Sequence, residues 1–303
     1  MNKHTLTTTT APIYTHSADL DDLRDRFDKI IDEVIASSLS TEALAQSLSC
    51  GLDEIGTILR SIPGHEGRLM ERGIALIAGC NPDLVVLTQN LRLPVTPAAL
   101  QLVEKNSPEH YRSLTLDADH GGRKTYTPDL LILNRQTKVA HVVDVKRSLV
   151  SYESTRIDDL RNRMLAASLV VPDLLYKEHR RLVADEVRVV ILSGDARKCD
   201  VEGGIWPLSH LDHLLEVTGA GETIELFRKR FDDRINRNWK MARQTVPPPS
   251  DRREGPSLPK QGATETPEPD DEDIEASGGD VAMDTSSEPR VIKLGFAQVP
   301  VRR

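Results

Sequence analysis

The chain has 303 residues, of which 38% are hydrophobic and 28% are charged, and its formal net charge is -8. This length and composition predict a globular protein with one sizeable core, and the lack of about 18 continuous apolar residues excludes a membrane-spanning helix. The three cysteines, Cys50, Cys80 and Cys199, are scattered along the chain. Their spacing favours the reducing cytoplasm, with neither a disulfide framework nor a structural zinc site.

The N-terminal part of the chain predicts helices. Residues 1–16 are polar and rich in threonine, so we expect a disordered arm without a signal peptide. Residues 17–62 predict a helical segment, because apolar residues recur at spacings of three and four, as in Leu20–Ile35. Gly64 is expected to separate this segment from the next predicted helix, His65–Gly79.

The middle of the chain alternates between strand and helix signals. Apolar and β-branched runs predict strands, and amphipathic runs predict helices. The predicted strands are Leu84–Leu87, Leu91–Val95, Tyr126–Leu133, Lys138–Val145 and Val187–Leu192, and the predicted helices are Pro97–His110 and Ile157–Leu175. This alternation predicts an α/β fold over residues 63–243, in which helices flank a central mixed sheet.

A basic helix is predicted at the end of this core. Arg230, Arg234 and Arg237 fall on one side of the helical stretch Phe227–Arg243. Such a row of guanidinium groups suits contacts with nucleic-acid phosphates. A solvated helix face explains the same pattern equally well.

The sequence changes character at residue 244. Residues 244–303 form a tail rich in proline and acids, which predicts disorder up to about Pro289, with a short apolar motif at the end. Ten acids and no Lys or Arg lie between Gln261 and Pro289, and without them the chain has a net charge of +2, so the body is mildly basic. The terminal Arg290–Arg303 alternates apolar residues, which is compatible with a strand at a sheet edge, a motif for a protein partner, or a loose end.

Charged side chains stand at the ends of two apolar predicted strands. Asp129 begins the first strand, and Asp144 and Lys146 end the second. Period-two alternation places Asp144 and Lys146 on one face. A hairpin turn at the centre of Asn134–Thr137 places Asp129 opposite Val142, on the face of Asp144. Two carboxylates and one ammonium group are therefore expected at one end of the sheet.

This set of groups suits the hydrolysis of a phosphodiester bond. Carboxylate oxygens are the ligands that Mg²⁺ prefers while it keeps several waters. The metal neutralises charge on the scissile phosphate and makes a bound water more acidic. A nearby lysine orients that water or stabilises the charge that develops on phosphorus.

The pattern Pro128-Asp129, followed after fourteen residues by Asp144-Val145-Lys146, resembles the PD-(D/E)XK nuclease superfamily, which includes many restriction endonucleases and repair nucleases. The resemblance covers residues 64–194 and implies a restriction-endonuclease-like fold, Mg²⁺ or Mn²⁺ as the cofactor, and DNA as the partner. It also implies that Asp129, Asp144 and the Val145 carbonyl bind the metal and that Lys146 serves catalysis.

The superfamily often carries a glutamate on its first core helix, and this chain offers Glu66 and Glu71. On a helical wheel the apolar residues cluster around the direction of Glu66, whereas Glu71 points away from them. An acid on an apolar face is costly unless it meets a metal or a cation. The pattern therefore predicts Glu66 as a further metal ligand, with a helix cap as its alternative role.

Together these features predict a metal-dependent nuclease that acts on DNA. Two alternatives stay open. One is a non-catalytic DNA-binding regulator that uses the segment Thr41–Arg60, where a helix-turn-helix pattern is faint. The other is an interaction protein on a nuclease fold without activity, which contacts a protein partner through its C-terminal tail.

Overall fold

The computed structural model describes residues 14–88, 91–111, 113–117, 124–245 and 292–300. The predicted acidic tail lies outside the described residues from 246 to 291, and so does the predicted arm up to residue 13. None of the described helices is both long enough and apolar enough to cross a membrane.

The described elements confirm a mixed α/β chain. The helices in chain order are α1 (Leu20–Ile35), α2 (Thr41–Cys50), α3 (Leu52–Ala78), α4 (Pro97–Lys105), α5 (Pro108–Tyr111), α6 (Ser154–Ser168), α7 (Val171–Glu178), α8 (Leu211–Leu215) and α9 (Ala220–Thr245). The strands are β1 (His16–Ser17), β2 (Leu84–Leu87), β3 (Leu93–Val95), β4 (Lys124–Tyr126), β5 (Leu130–Asn134), β6 (Val139–Lys146), β7 (Glu186–Ser193), β8 (Ile205–Pro207), β9 (Val217–Thr218) and β10 (Lys293–Phe296).

The central sheet has the strand order β10-β7-β6-β5-β2, and β8 pairs with another part of β7. β2, β5 and β6 are antiparallel neighbours, whereas β7 is parallel to β6, β8 and β10. Helices flank this sheet, so the prediction of a mixed sheet between helices is confirmed.

Helices α1, α2, α3 and α9 pack together and share a core with one face of the sheet. Two caps set where the first helices begin, because the Asp19 side chain accepts a hydrogen bond from the Asp21 amide and the Ser40 side chain accepts one from the Ala43 amide. The predicted first helix, Leu20–Ile35, is confirmed.

Helix α3 continues through Pro63 and Gly64, so the predicted break at Gly64 is wrong. A proline removes one hydrogen bond inside a helix, and a glycine costs about 1 kcal/mol relative to alanine. Ile58 and Leu69 are buried on either side of this point, and their packing outweighs that cost. Helix α3 therefore belongs both to the predicted helical segment, residues 17–62, and to the predicted core, residues 63–243.

Gly51 is the only residue between α2 and α3. Its φ of +124° lies in a region that L side chains rarely adopt. A helix-turn-helix needs a turn of about three to four residues between its helices. The arrangement therefore lends no support to the DNA-binding alternative at Thr41–Arg60.

Alternation along β6 divides its side chains between the two faces of the sheet. Val143 and Val145 belong to the core that includes α1, α3 and α9. Val142 belongs to the second core, which includes residues of α4, α6, α7 and the β3–β4 pair. Asp144 and Lys146 lie two and four residues after Val142, so their side chains point to the same face as Val142. This is the second face, at the carboxyl end of β6.

Two prolines divide elements that the sequence predicts as continuous. Pro128 has no N–H to donate to a ladder, and the predicted strand Tyr126–Leu133 forms the separate strands β4 and β5. Pro172 lies in the first turn of α7, where a missing N–H is tolerated. The predicted helix Ile157–Leu175 therefore forms α6 and α7.

Both ends of the described chain bind to the fold. Of the alternatives for Arg290–Arg303, the structure shows the strand, because β10 pairs with β7 and Leu294 is buried. At the other end, β1 pairs with β9 and the Tyr14 amide donates to the Thr218 side chain. The predicted disordered arm of residues 1–16 is therefore too long at residues 14–16.

Candidate active site

The β5–β6 hairpin brings the two motif aspartates to opposite positions. Leu130 pairs with Val143, so the same register, extended by one residue, places Asp129 opposite Asp144. The predicted pairing of Asp129 with Val142 is wrong by two residues. Two residues are one full period of a strand, so the prediction that both aspartates share a face is unaffected.

The turn explains the shift in register. The Asn134 side chain accepts hydrogen bonds from the amides of Gln136 and Thr137, and Lys138 adopts a φ of +55°. These contacts make a four-residue connection from residue 135 to residue 138, with Asn134 opposite Val139. The turn centre therefore lies one residue later than predicted.

Asp144 is the most enclosed member of the site, with 4% of its surface exposed. Its Oδ1 lies 2.5 Å from the Lys146 Nζ, and its Oδ2 accepts a hydrogen bond of 2.9 Å from the Tyr126 hydroxyl. The Asp129 Oδ2 accepts a hydrogen bond of 2.6 Å from the Val145 amide. The predicted residues Asp129, Asp144, Val145 and Lys146 are thus assembled in one place.

The charges of this cluster influence each other's protonation. Burial, together with the charge of Asp144, raises the pKa of Asp129 above its usual range, although the Val145 amide and Lys146 oppose the rise. Burial lowers the pKa of Lys146, but the charge and hydrogen bond of Asp144 and the charge of Asp129 outweigh it, and the net shift is upward. Lys146 is therefore an ammonium group at neutral pH.

Glu66 and Glu71, the two candidates on α3, have different surroundings. The Glu66 carboxylate accepts a hydrogen bond of 2.8 Å from the Arg228 guanidinium, and the Arg147 Nε lies 3.8 Å away. Burial raises the pKa of Glu71 to about 7, and the charge of Asp129 adds to the rise while Lys146 opposes it. The charges of the motif residues therefore influence the protonation of Glu71, whereas Glu66 contacts arginines.

The helical wheel placed Glu66 on the apolar face of the helix, where an acid needs a cation as its partner. That cation is Arg228 of α9. Arg228 is separated from Glu66 by 162 positions in the sequence, so no local pattern reveals the pair. Glu71 was the other candidate on the same helix, and no local pattern shows that it stands near Asp129.

A cleft of about 490 Å³ opens beside Asp129. Its lining combines polar residues from α3 and the strand ends with apolar residues from α1 and α3. These residues are Ile30, Glu71, Arg72, Ala75, Leu76, Thr88, Thr127, Pro128 and Asp129. The carboxylates of Glu71 and Asp129 therefore line one cleft.

The donor set fits a magnesium or manganese ion that keeps most of its waters. Within the described residues, no group of three or more His, Cys, Asp and Glu side chains stands ready to hold a metal. Mg²⁺ is commonly bound by one or two carboxylates plus waters and substrate oxygens, which Asp129 and Asp144 provide. The N–H and C=O of one strand residue point the same way, so the Val145 carbonyl is directed toward the side of Asp129.

The predicted phosphate-binding arginines of α9 have other contacts. Arg230 donates two hydrogen bonds of 2.7 Å to the Asp28 carboxylate, and Arg234 pairs with Asp32, so both connect α9 to α1. Arg237 is exposed, and its Nε donates to the Asp233 carbonyl. A groove of about 700 Å³ runs along these residues, and it lies apart from the residues that line the cleft at Asp129.

No protein-family model matches the chain, and comparison with curated proteins and with solved structures finds no significant match. The resemblance to PD-(D/E)XK nucleases therefore depends on the motif residues and on the order of the elements around them.

Tyr126 was missed by the sequence analysis, and its hydrogen bond to Asp144 yields a prediction. We expect Tyr126→Phe to keep the fold, because the ring remains, and to weaken Mn²⁺ binding by about tenfold or more, as is typical when a group that orients a metal ligand is lost. Isothermal titration with Mn²⁺ measures the change. Tyr111→Phe, which removes a hydroxyl from the same core, is the matched control, and equal affinities in the two variants would contradict the role.

The raised pKa of Glu71 predicts how stability depends on pH. Between the ordinary glutamate pKa of 4.5 and about 7, the folded metal-free protein holds a proton on Glu71 that the unfolded chain has released. The free energy of unfolding should therefore fall as the pH rises through this interval. Glu71→Gln should flatten that dependence in urea unfolding measured at a series of pH values, whereas Glu42→Gln, at an exposed position, should not. Identical slopes for both variants would refute the prediction.

Proposed function

We propose that this protein is a metal-dependent nuclease that hydrolyses phosphodiester bonds in DNA, on a restriction-endonuclease-like fold. The observation that carries the proposal is the placement of Asp129 opposite Asp144, with the Lys146 ammonium 2.5 Å from Asp144. The order of a helix, an antiparallel strand pair, a helix and a parallel strand, formed by α3, β5, β6, α6 and β7, agrees with it.

Asp129, Asp144 and the Val145 carbonyl would hold the metal. When bound, Mg²⁺ or Mn²⁺ neutralises charge on the scissile phosphate and acidifies a water. In the metal-free site one ammonium group faces Asp129, Asp144 and Glu71. This excess of negative charge is what a divalent cation relieves.

Three side chains of the site have further roles in the proposed reaction. Lys146 stays protonated and stabilises the negative charge that grows on the phosphate in the transition state. Tyr126 donates to Asp144 and keeps its carboxylate in one orientation. Glu71, with a pKa of about 7, is able to exchange a proton near neutral pH, as a general base or acid requires.

The direct test is incubation of the purified full chain with plasmid and linear DNA. We expect cleavage with Mg²⁺ or Mn²⁺ and none with EDTA. Cleavage that persists in EDTA would contradict the metal requirement. If no cleavage occurs on either DNA with either metal, the alternative of a nuclease fold without activity is favoured.

A further inference from the structure

Three arginines lie on or next to the elements that carry the acidic centre or pack against it, and each comes from a different element. Arg147 follows Lys146 directly at the end of β6. Arg68 lies on α3 between Glu66 and Glu71. Arg163 lies on α6, whose residues pack against β4, the strand that carries Tyr126. We call these three residues the arginine rim.

The pKa shifts of the site agree with this placement. Burial raises the pKa of Glu71, and Arg68 opposes the rise. Burial and the charge of Asp144 raise the pKa of Tyr126, and Arg163 opposes that rise. Arg68 therefore lies within electrostatic range of Glu71, and Arg163 lies within electrostatic range of the Tyr126 hydroxyl that binds Asp144.

The guanidinium groups of the rim are accessible. Arg68 and Arg163 are exposed, and neither has an acidic partner within 4.0 Å in the part of the chain that the structure describes. Half of the Arg147 side chain is exposed, and its contact with Glu66 is long at 3.8 Å, whereas Arg228 binds that carboxylate at 2.8 Å. Arg230 and Arg234, by contrast, are bound to the acids of α1.

A polyanion that reaches Asp129 and Asp144 must overcome their negative charge. Cations on the elements next to the acids offset this repulsion and bind the phosphates on either side of the scissile one. We infer that Arg68, Arg147 and Arg163 form the surface that binds the phosphate backbone of DNA at this site. The inference rests on the proposed function and specifies which cations contact its substrate.

The test measures binding separately from cleavage. In an Asp144→Asn background, which removes the proposed hydrolysis, a fluorescein-labelled DNA duplex is titrated with the full chain at several salt concentrations. We expect Arg68→Gln, Arg147→Gln and Arg163→Gln combined to weaken binding for every duplex sequence. The slope of log affinity against log salt concentration should shrink by about 1 for each phosphate that the variant no longer binds.

The matched control replaces three exposed arginines at the opposite end of the sheet, Arg135, Arg180 and Arg181, by glutamine. It changes the net charge equally and should leave the salt slope nearly unchanged. Equal slopes for the rim and control variants would overturn the inference, even if the wild type cleaves DNA. Weaker binding in the rim variant alone would support the binding surface, even if no cleavage is found and the proposed function fails.

Discussion

Replacing Asp144 by asparagine is expected to abolish metal-dependent cleavage of DNA. The substitution keeps the shape of the side chain but removes the charge that holds a divalent cation and pairs with Lys146. Metal ions contribute several kcal/mol to the stabilisation of a transition state, and about 4 kcal/mol corresponds to about a thousandfold in rate. A loss of at least this size is expected in the initial rate of plasmid cleavage with saturating Mg²⁺.

The control for this experiment is Asp185→Asn. Asp185 precedes β7 at the opposite end of the sheet and pairs with Lys138 on the surface, so its loss should leave the rate unchanged. Mn²⁺ titration should show weaker binding in Asp144→Asn only. Lys146→Ala should lower the rate while Mn²⁺ still binds, because Lys146 contributes charge and not a ligand. Full activity in Asp144→Asn would show that the cleavage comes from another site.

Truncation of Phe227 is expected to give the largest loss of stability among the helix contacts. The Phe227 ring stacks on the Phe27 ring with 4.1 Å between centroids, and both side chains are fully buried. Truncation of a buried phenylalanine to alanine costs about 3 to 5 kcal/mol. Phe227→Ala should therefore lower the urea midpoint of unfolding strongly, with an unchanged m-value.

Gly73 explains why the Phe227 site should relax little. A Cβ placed on Gly73 would lie 2.6 Å from the Phe227 ring, so α3 and α9 approach closely here and a cavity would remain after truncation. Leu226→Ala is the control, because Leu226 is the preceding residue of α9 and is partly exposed. A midpoint in Phe227→Ala no lower than in Leu226→Ala would show that the aromatic pair does not hold α9 in place.

The arginines of α9 show how one pattern serves two roles. Arg230 and Arg234 recur with helical spacing, which suits a row of phosphates as well as a row of acids. Asp28 and Asp32 repeat with the same spacing of four on α1, and the two helices join through these pairs. The sequence contained both rows, but it did not reveal that the rows face each other.

Local pattern alone determined the elements that carry the site. Apolar alternation placed the strands close to Leu130–Asn134 and Val139–Lys146, because side chains of a strand alternate with a period of two. The same period put Asp129, Asp144 and Lys146 on one face. This conclusion survived a register error of two residues because two is a whole period.

Tertiary structure decided which groups meet. Glu66 met Arg228, Glu71 came beside Asp129, Tyr126 bound Asp144, and the terminal strand β10 joined β7. Each of these contacts joins residues from different elements, and most of them are far apart in the sequence. Periodicity states which way a side chain points from its own element, but the partner that it meets depends on how the elements pack.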